Sequence, residues 1–155
     1  MANTQAMCTS FKEELLNGSH AFGAQGANSV RTVTTKDTFK GALYLTTATV
    51  DSTTTAYSAT NEVSGTGYTA GGAAVTNATD TSSSGTTAFW TPSASLVWTT
   101  VTLGTAFDAV LIYNTASTGN LAVSVHTFGS TTITAGDLTL TMPTNDATTG
   151  LIRIA

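Results

Sequence analysis

Ionic charge is what this sequence has least of: five Lys or Arg and nine Asp or Glu in 155 residues. Soluble domains ordinarily carry charge on about a quarter of their residues, so neutral hydroxyls and backbone must do most of the facing of water. The net charge of −4, with no basic stripe to neutralise phosphates, argues against nucleic-acid binding. Lys12, Arg31, Lys36 and Lys40 cluster early in the chain, leaving Arg153 alone at the far end. Scattered solvated charge accounts for them ahead of a basic face meeting an acidic partner. Cysteine occurs once, as Cys8, which excludes an intramolecular disulfide and a cysteine metal cluster. No apolar run approaches the roughly 20 residues of a membrane-spanning helix; the longest, Ala109-Val-Leu-Ile-Tyr113, has strand length. The N-terminus shows no basic stretch followed by an apolar one, so no signal peptide is expected and the chain reads as soluble and cytosolically made.

Signatures of catalysis and metal binding are also scarce. Cys8 and His20 can be drawn as a nucleophilic dyad, but no glycine-rich elbow presents Cys8, and a buried structural thiol is the simpler reading. His126 falls on the strand face opposite Leu121, Val123 and Val125, which makes it a surface or interface histidine. Asp37, Asp51, Asp80, Asp108, Asp137 and Asp146 are mostly singletons near strand ends, where Asp caps turns; they form no ligand spacing. Gly65-Thr-Gly67 has no strand-to-helix setting and reads as a loop. The Asn17-Gly-Ser19 and Asn77-Ala-Thr79 triplets imply no glycan in a chain without a signal peptide. These observations predict no catalytic residues, no cofactor and no metal.

What is abundant is threonine, the commonest residue, placed beside apolar residues. Threonine is stiff at χ1 and suits a pleated, half-buried backbone. From about residue 30 the apolar residues recur with period two: Phe39–Thr47, Tyr57–Val63, Leu96–Leu103, Phe107–Tyr113, Leu121–Phe128, Asp137–Met142 and Leu151–Ala155 read as strands. Turn signals separate them, at Ser64–Gly67, Gly71-Gly72, Ser82–Gly85, Ser117–Asn120, Ala135-Gly136 and Pro143–Asp146. Gly65–Gly85 is the expected long loop. Short strands at this spacing predict an all-β chain, an antiparallel β-sandwich or jelly-roll-like domain of about 8 strands or more.

One short helix is predicted near the start. Ser10 and Glu13 match a capping box, Phe11, Leu15 and Leu16 form an apolar stripe, and Asn17-Gly18 supplies the stop. So short a helix must dock on something. The chain accordingly divides into an N-terminal arm with the helix, residues 1–28, and a β-sandwich, residues 29–155. Deleting residues 1–18 is expected to leave the sandwich folded. Trp98 reads as core, whereas Trp90, beside Thr91-Pro92, reads as an interface anchor, with carbohydrate stacking as the competing idea. Phe11, Leu15, Leu16 and Trp90 are therefore the candidate interface residues.

Several whole segments resemble small virion structural proteins of tailed bacteriophages. They are Met1–Leu16, Thr38–Tyr44, Gly65–Gly72, Ala106–Tyr113 and Met142–Leu151, and together they span most of the chain. The resemblance implies no catalytic residues. It implies many assembled copies within a virion put together in the bacterial cytoplasm, and as partners the major capsid protein, other virion proteins and further copies of this chain, with no nucleic acid and no membrane. A capsid decoration (cement) protein that is not an enzyme is the leading expectation. A tail, neck or fibre component touching host glycans through aromatics such as Trp90 is the alternative, and a wall-degrading enzyme has the least support.

Overall fold

Threonine and β-branched alternation folds, in the computed structural model, into two antiparallel sheets; the structure describes residues 2–23, 35–77 and 79–155. In chain order the elements are β1 (Ala6–Met7), α1 (Thr9–Leu16), β2 (Phe39–Leu45), β3 (Ala73–Val75), β4 (Ser82–Ser84), β5 (Thr87–Trp90), β6 (Leu96–Asn114), β7 (Ala122–Leu140) and β8 (Ile152–Ile154). The larger sheet has the order β1-β7-β6-β2-β3 and the smaller β4-β5-β8. The all-β, sandwich-like expectation holds.

The main departure from the sequence reading is strand length. Leu96–Leu103 and Phe107–Tyr113 are one 19-residue strand, β6, and Leu121–Phe128 and Asp137–Met142 fall largely within a second, β7. The two pair from Leu96↔Leu140 to Tyr113↔Ala122, with register shifts at four places between Trp98 and Ala109. Ala135-Gly136 is therefore not a hairpin turn. It lies in a β7 bulge, with Ala135 at φ 48°, where three β7 steps oppose two on β6.

These bulges let the hairpin fold over itself. Leu96, Val110 and Ile112 all converge on the space above Gly41. Leu96 and Val110 belong to the same strand, and 14 residues of straight strand would hold them more than ~40 Å apart. Bending at Gly104–Ala106 on β6 and 128–130 on β7 brings the distal half of the hairpin over the proximal half. Both faces of the proximal half are thus covered, and Ala109, Leu111, Ile112, Ala122, Val123 and Val125 have no exposed surface. Glycine at 41 makes room for this approach, since a β-carbon there would come within 2.5 Å of a Leu96 methyl.

Tyr57–Val63 is not a strand. Only isolated bridges, Ala56↔Leu121 and Tyr44↔Glu62, tie it to the sheet, and Asn61 reverses the backbone at φ 59°. Its side chains hold it instead. Buried Glu62 accepts hydrogen bonds from the Tyr57 hydroxyl (2.6 Å), the Tyr68 hydroxyl (2.7 Å) and the Gly71 N–H (2.7 Å). The stretch from Gly65 to Gly85 is likewise no continuous loop, since β3 and β4 form within it.

The helix forms where expected but starts differently. Its N-cap is Cys8, which makes no side-chain cap bond, and the Ser10 hydroxyl is buried without a partner among the described residues. The capping box is absent because Ser10 already lies inside the first turn. The stop is as predicted: Gly18 at φ 68° lets its N–H reach the Leu15 carbonyl (3.1 Å), and the Ser19 N–H reaches that of Glu14 (2.8 Å).

The boundary drawn at residue 28 lies outside the described residues. Residues 2–23 are not a detachable arm. β1 pairs with β7 through Ala6↔Val125 and Met7↔Ser124, Cys8 and Phe11 are completely buried, and Asn3 donates to the Leu45 carbonyl (3.0 Å). Phe11, Phe22, Phe39 and Trp90 form one chain of ring contacts, centroids 4.5–5.7 Å apart, that joins α1, β2 and β5.

Candidate interaction surface

The four residues singled out in the sequence do not share a surface. Phe11 is fully buried and Trp90 is 2 % exposed; neither offers a partner any area. Trp90 meets Phe22 edge to face and donates its indole N–H to Asn77 Oδ1 at 3.1 Å, so the interface reading of both aromatics is corrected to core. Proline beside tryptophan marks a turn, but the turn here packs the ring inward. Trp98 is core, as read. Leu15 is partly buried against the same cluster. Leu16 is 90 % exposed, and with Ile154 and Val97 it makes up the large exposed apolar side chains among the described residues.

The remaining sequence candidates resolve into structural roles. Burial, with help from the charges of Glu14 and Asp51, pushes the Cys8 thiol up to about 12, so it stays protonated. Both ring nitrogens of His20 are engaged by other residues. The Asn114 amide donates to His20 Nδ1 (3.0 Å), which leaves the Nε2 proton to be donated to Glu14 (2.7 Å). Asn114 also donates to Asp37 (2.7 Å), whose carboxylate accepts the Ala21 N–H. This chain of bonds fastens α1 and the segment after it to the end of β6.

His126 is not on an open face. The C-terminal segment crosses over the side of β7 that carries Ser124 and His126, and Ser124 is 2 % exposed. Desolvation lowers the His126 pKa to about 4, so the ring is neutral near pH 7 and shares a hydrogen bond with the Ser124 hydroxyl at 2.9 Å. Asp51 and Asp146 act as turn caps for threonines: Asp51 binds Thr53, and Asp146 binds Thr148 and Thr149. Those bonds hold both carboxyls below the usual range. Among the described residues no three of His, Cys, Asp and Glu stand together as a metal site, and no helix is long and apolar enough to cross a membrane.

Open surface features remain. Beyond β1, the outer edge of β7 meets no partner strand among the described residues, and from Thr127 to Leu140 it carries one charge, Asp137. A groove lies between β1 and α1 on one bank and residues 149–155 on the other. One part, about 380 Å³, is lined by Gln5–Met7, Ser124, His126 and Thr149–Arg153. A second, about 540 Å³, continues it past Met7 and Arg153 to Lys12, Leu15, Leu16 and Ile154. Exposed Leu16 and Ile154 therefore belong to one feature, which periodicity failed to find because it joins residues more than 130 apart in sequence.

Comparison with protein-family models, with curated proteins and with solved structures yields no match.

Proposed function

We propose that the chain is a non-enzymatic structural protein of a tailed-bacteriophage virion, a capsid decoration (cement) protein present in many copies and bound to the shell. The observation that carries this reading is the combination of open strand edges with a surface nearly free of ionic charge. Unpaired edges are templates for adding another strand, and folded monomers normally blunt them with charge. Here the β7 edge has only Asp137 over its last 14 residues, so identical neighbours repel one another little. The segment resemblances described above add the virion setting, the capsid partners and self-association into a homo-oligomer.

Quantitative mass spectrometry of purified virions tests the reading. Hundreds of copies per particle are expected; a dozen or fewer would move the protein to the tail, neck or fibre. That alternative has lost its aromatic argument, because Trp90 is buried and cannot stack on a glycan. Absence from the particle would overturn the virion reading altogether. Clearing of cell wall in a zymogram would overturn the non-enzymatic part.

A further inference from the structure

The groove between β1 and residues 149–155 has three properties that bear on what fills it. The first is backbone geometry. The Cys8 N–H donates to the Val123 carbonyl (3.0 Å), and alternation along an antiparallel pair then turns the backbone groups of Met7 and Gln5 away from β7. Both residues line the groove together with Ser124 and His126 of β7, and no backbone partner of either stands on the outer side among the described residues, so β1 has a short free edge beside the groove. The opposite bank, β8, is an edge strand of the smaller sheet.

The second property is apolar surface. Leu16 is 90 % exposed and Ile154 is 47 % exposed, on opposite banks of the wider part. The third is charge. Lys12 and Arg153 stand at the same place, and neither takes part in an ion pair among the described residues, whereas Lys36 is paired with Asp80. A chain of net charge −4 thus gathers two of its five cations, both unpaired, around an apolar groove with a strand edge.

We propose that this groove receives an extended acidic segment of a partner protein, added as a strand to the free edge of β1. An Asp or Glu side chain of that segment sits between Lys12 and Arg153, and a neighbouring apolar side chain rests on Leu16 and Ile154. Strand addition supplies affinity through main-chain hydrogen bonds, and the alternate side chains supply specificity. The inference rests on the reading of the chain as an adhesive virion component and names the chemistry of what it adheres to.

Two measurements separate the inference from that reading. In the first, labelled full-length protein is applied to a synthetic array of random octapeptides. Bound peptides are expected to alternate apolar and small residues and to contain Asp or Glu. The double variant Lys12→Glu/Arg153→Glu, altered only at exposed side chains, is expected to lose those peptides at least tenfold and to favour Lys or Arg instead. Leu16→Asp is expected to weaken all of them, and the Met7 amide is expected to become protected from hydrogen exchange in the bound state. Failure to bind any peptide, binding without acidic preference, or an unchanged preference in the double variant would overturn the inference. In the second, wild type and double variant are added to particles stripped of the protein. Attachment of the wild type alone supports the groove. Equal attachment of both overturns it while leaving the virion role intact. Attachment of neither overturns the virion role, and the array then decides the groove by itself.

Discussion

His126 shows how far a residue's neighbours govern its chemistry. Alternation places it opposite Val123 and Val125, and a face opposite a core is normally wet. The folded-over end of the hairpin and the C-terminal segment both flank that face, and burial depresses the ring's pKa from 6.5 to about 4. The unfolded chain therefore takes up the proton first as pH falls. Stability is fully present above pH ~6.5, declines through the window down to about 4, and levels off below it, a loss on the order of 3 kcal/mol. Chemical denaturation at a series of pH values checks this, and His126→Gln should flatten the profile across that window. Asp51 and Asp146, held low by threonine hydrogen bonds, titrate in the same direction, with stability falling as pH falls, but in a lower window. Their stabilisation is present above the usual carboxylate range and is lost only in stronger acid, below the His126 window. Of the four residues read as interface, the sequence could not tell Phe11 and Trp90 from Leu16, because all are large and apolar. Only burial against Phe22 and Phe39 separates them.

At the scale of elements, local signals placed segments well and misjudged their connections. The helix, its Asn17-Gly18 stop and strands β2 and β8 follow from spacing and turn chemistry. The expected breaks in β6 and β7 failed because a bulge and a turn use the same small residues: Gly104-Thr-Ala106 and Ala135-Gly136 bend continuous strands here. The first 18 residues were expected to be removable, since the helix pattern is distinct from the strand pattern. Their contacts say otherwise. Removing them uncovers the Phe22–Phe39–Trp90 cluster and strips β1 from β7, so the truncated chain should lose cooperative unfolding and aggregate. Phe11→Ala alone should cost about 3–5 kcal/mol, the usual penalty for emptying a fully buried phenylalanine site. Near-ultraviolet circular dichroism and thermal melts of the two variants test both expectations. A sharp melt from the truncated chain would contradict them.

For the whole molecule, the low charge that opens the sequence takes on a place. Bulges at 128–130 and 134–135 interrupt the β7 edge and leave Gly136–Leu140 as its regular run, flanked by exposed hydroxyls. The proposed self-association should depend on that run. Thr139→Lys, at an exposed position, should reduce association in sedimentation velocity at high protein concentration without lowering the melting temperature by more than a degree or two, as surface changes usually cost under about 0.5 kcal/mol. Unaltered association would move the contact elsewhere on the surface.

The sequence by itself determined that the chain is all-β with one short helix, because period-two alternation and β-branched content are local properties that each segment carries. It also determined the neutrality of the surface, since composition alone decides how much charge there is to expose. The tertiary structure decided which apolar residues are core, that the 1–18 segment belongs to that core, and where a groove opens. Those outcomes depend on the hairpin folding across itself and on β1 and β8 meeting from opposite ends of the chain. Contacts between residues so distant in sequence leave no periodicity to read.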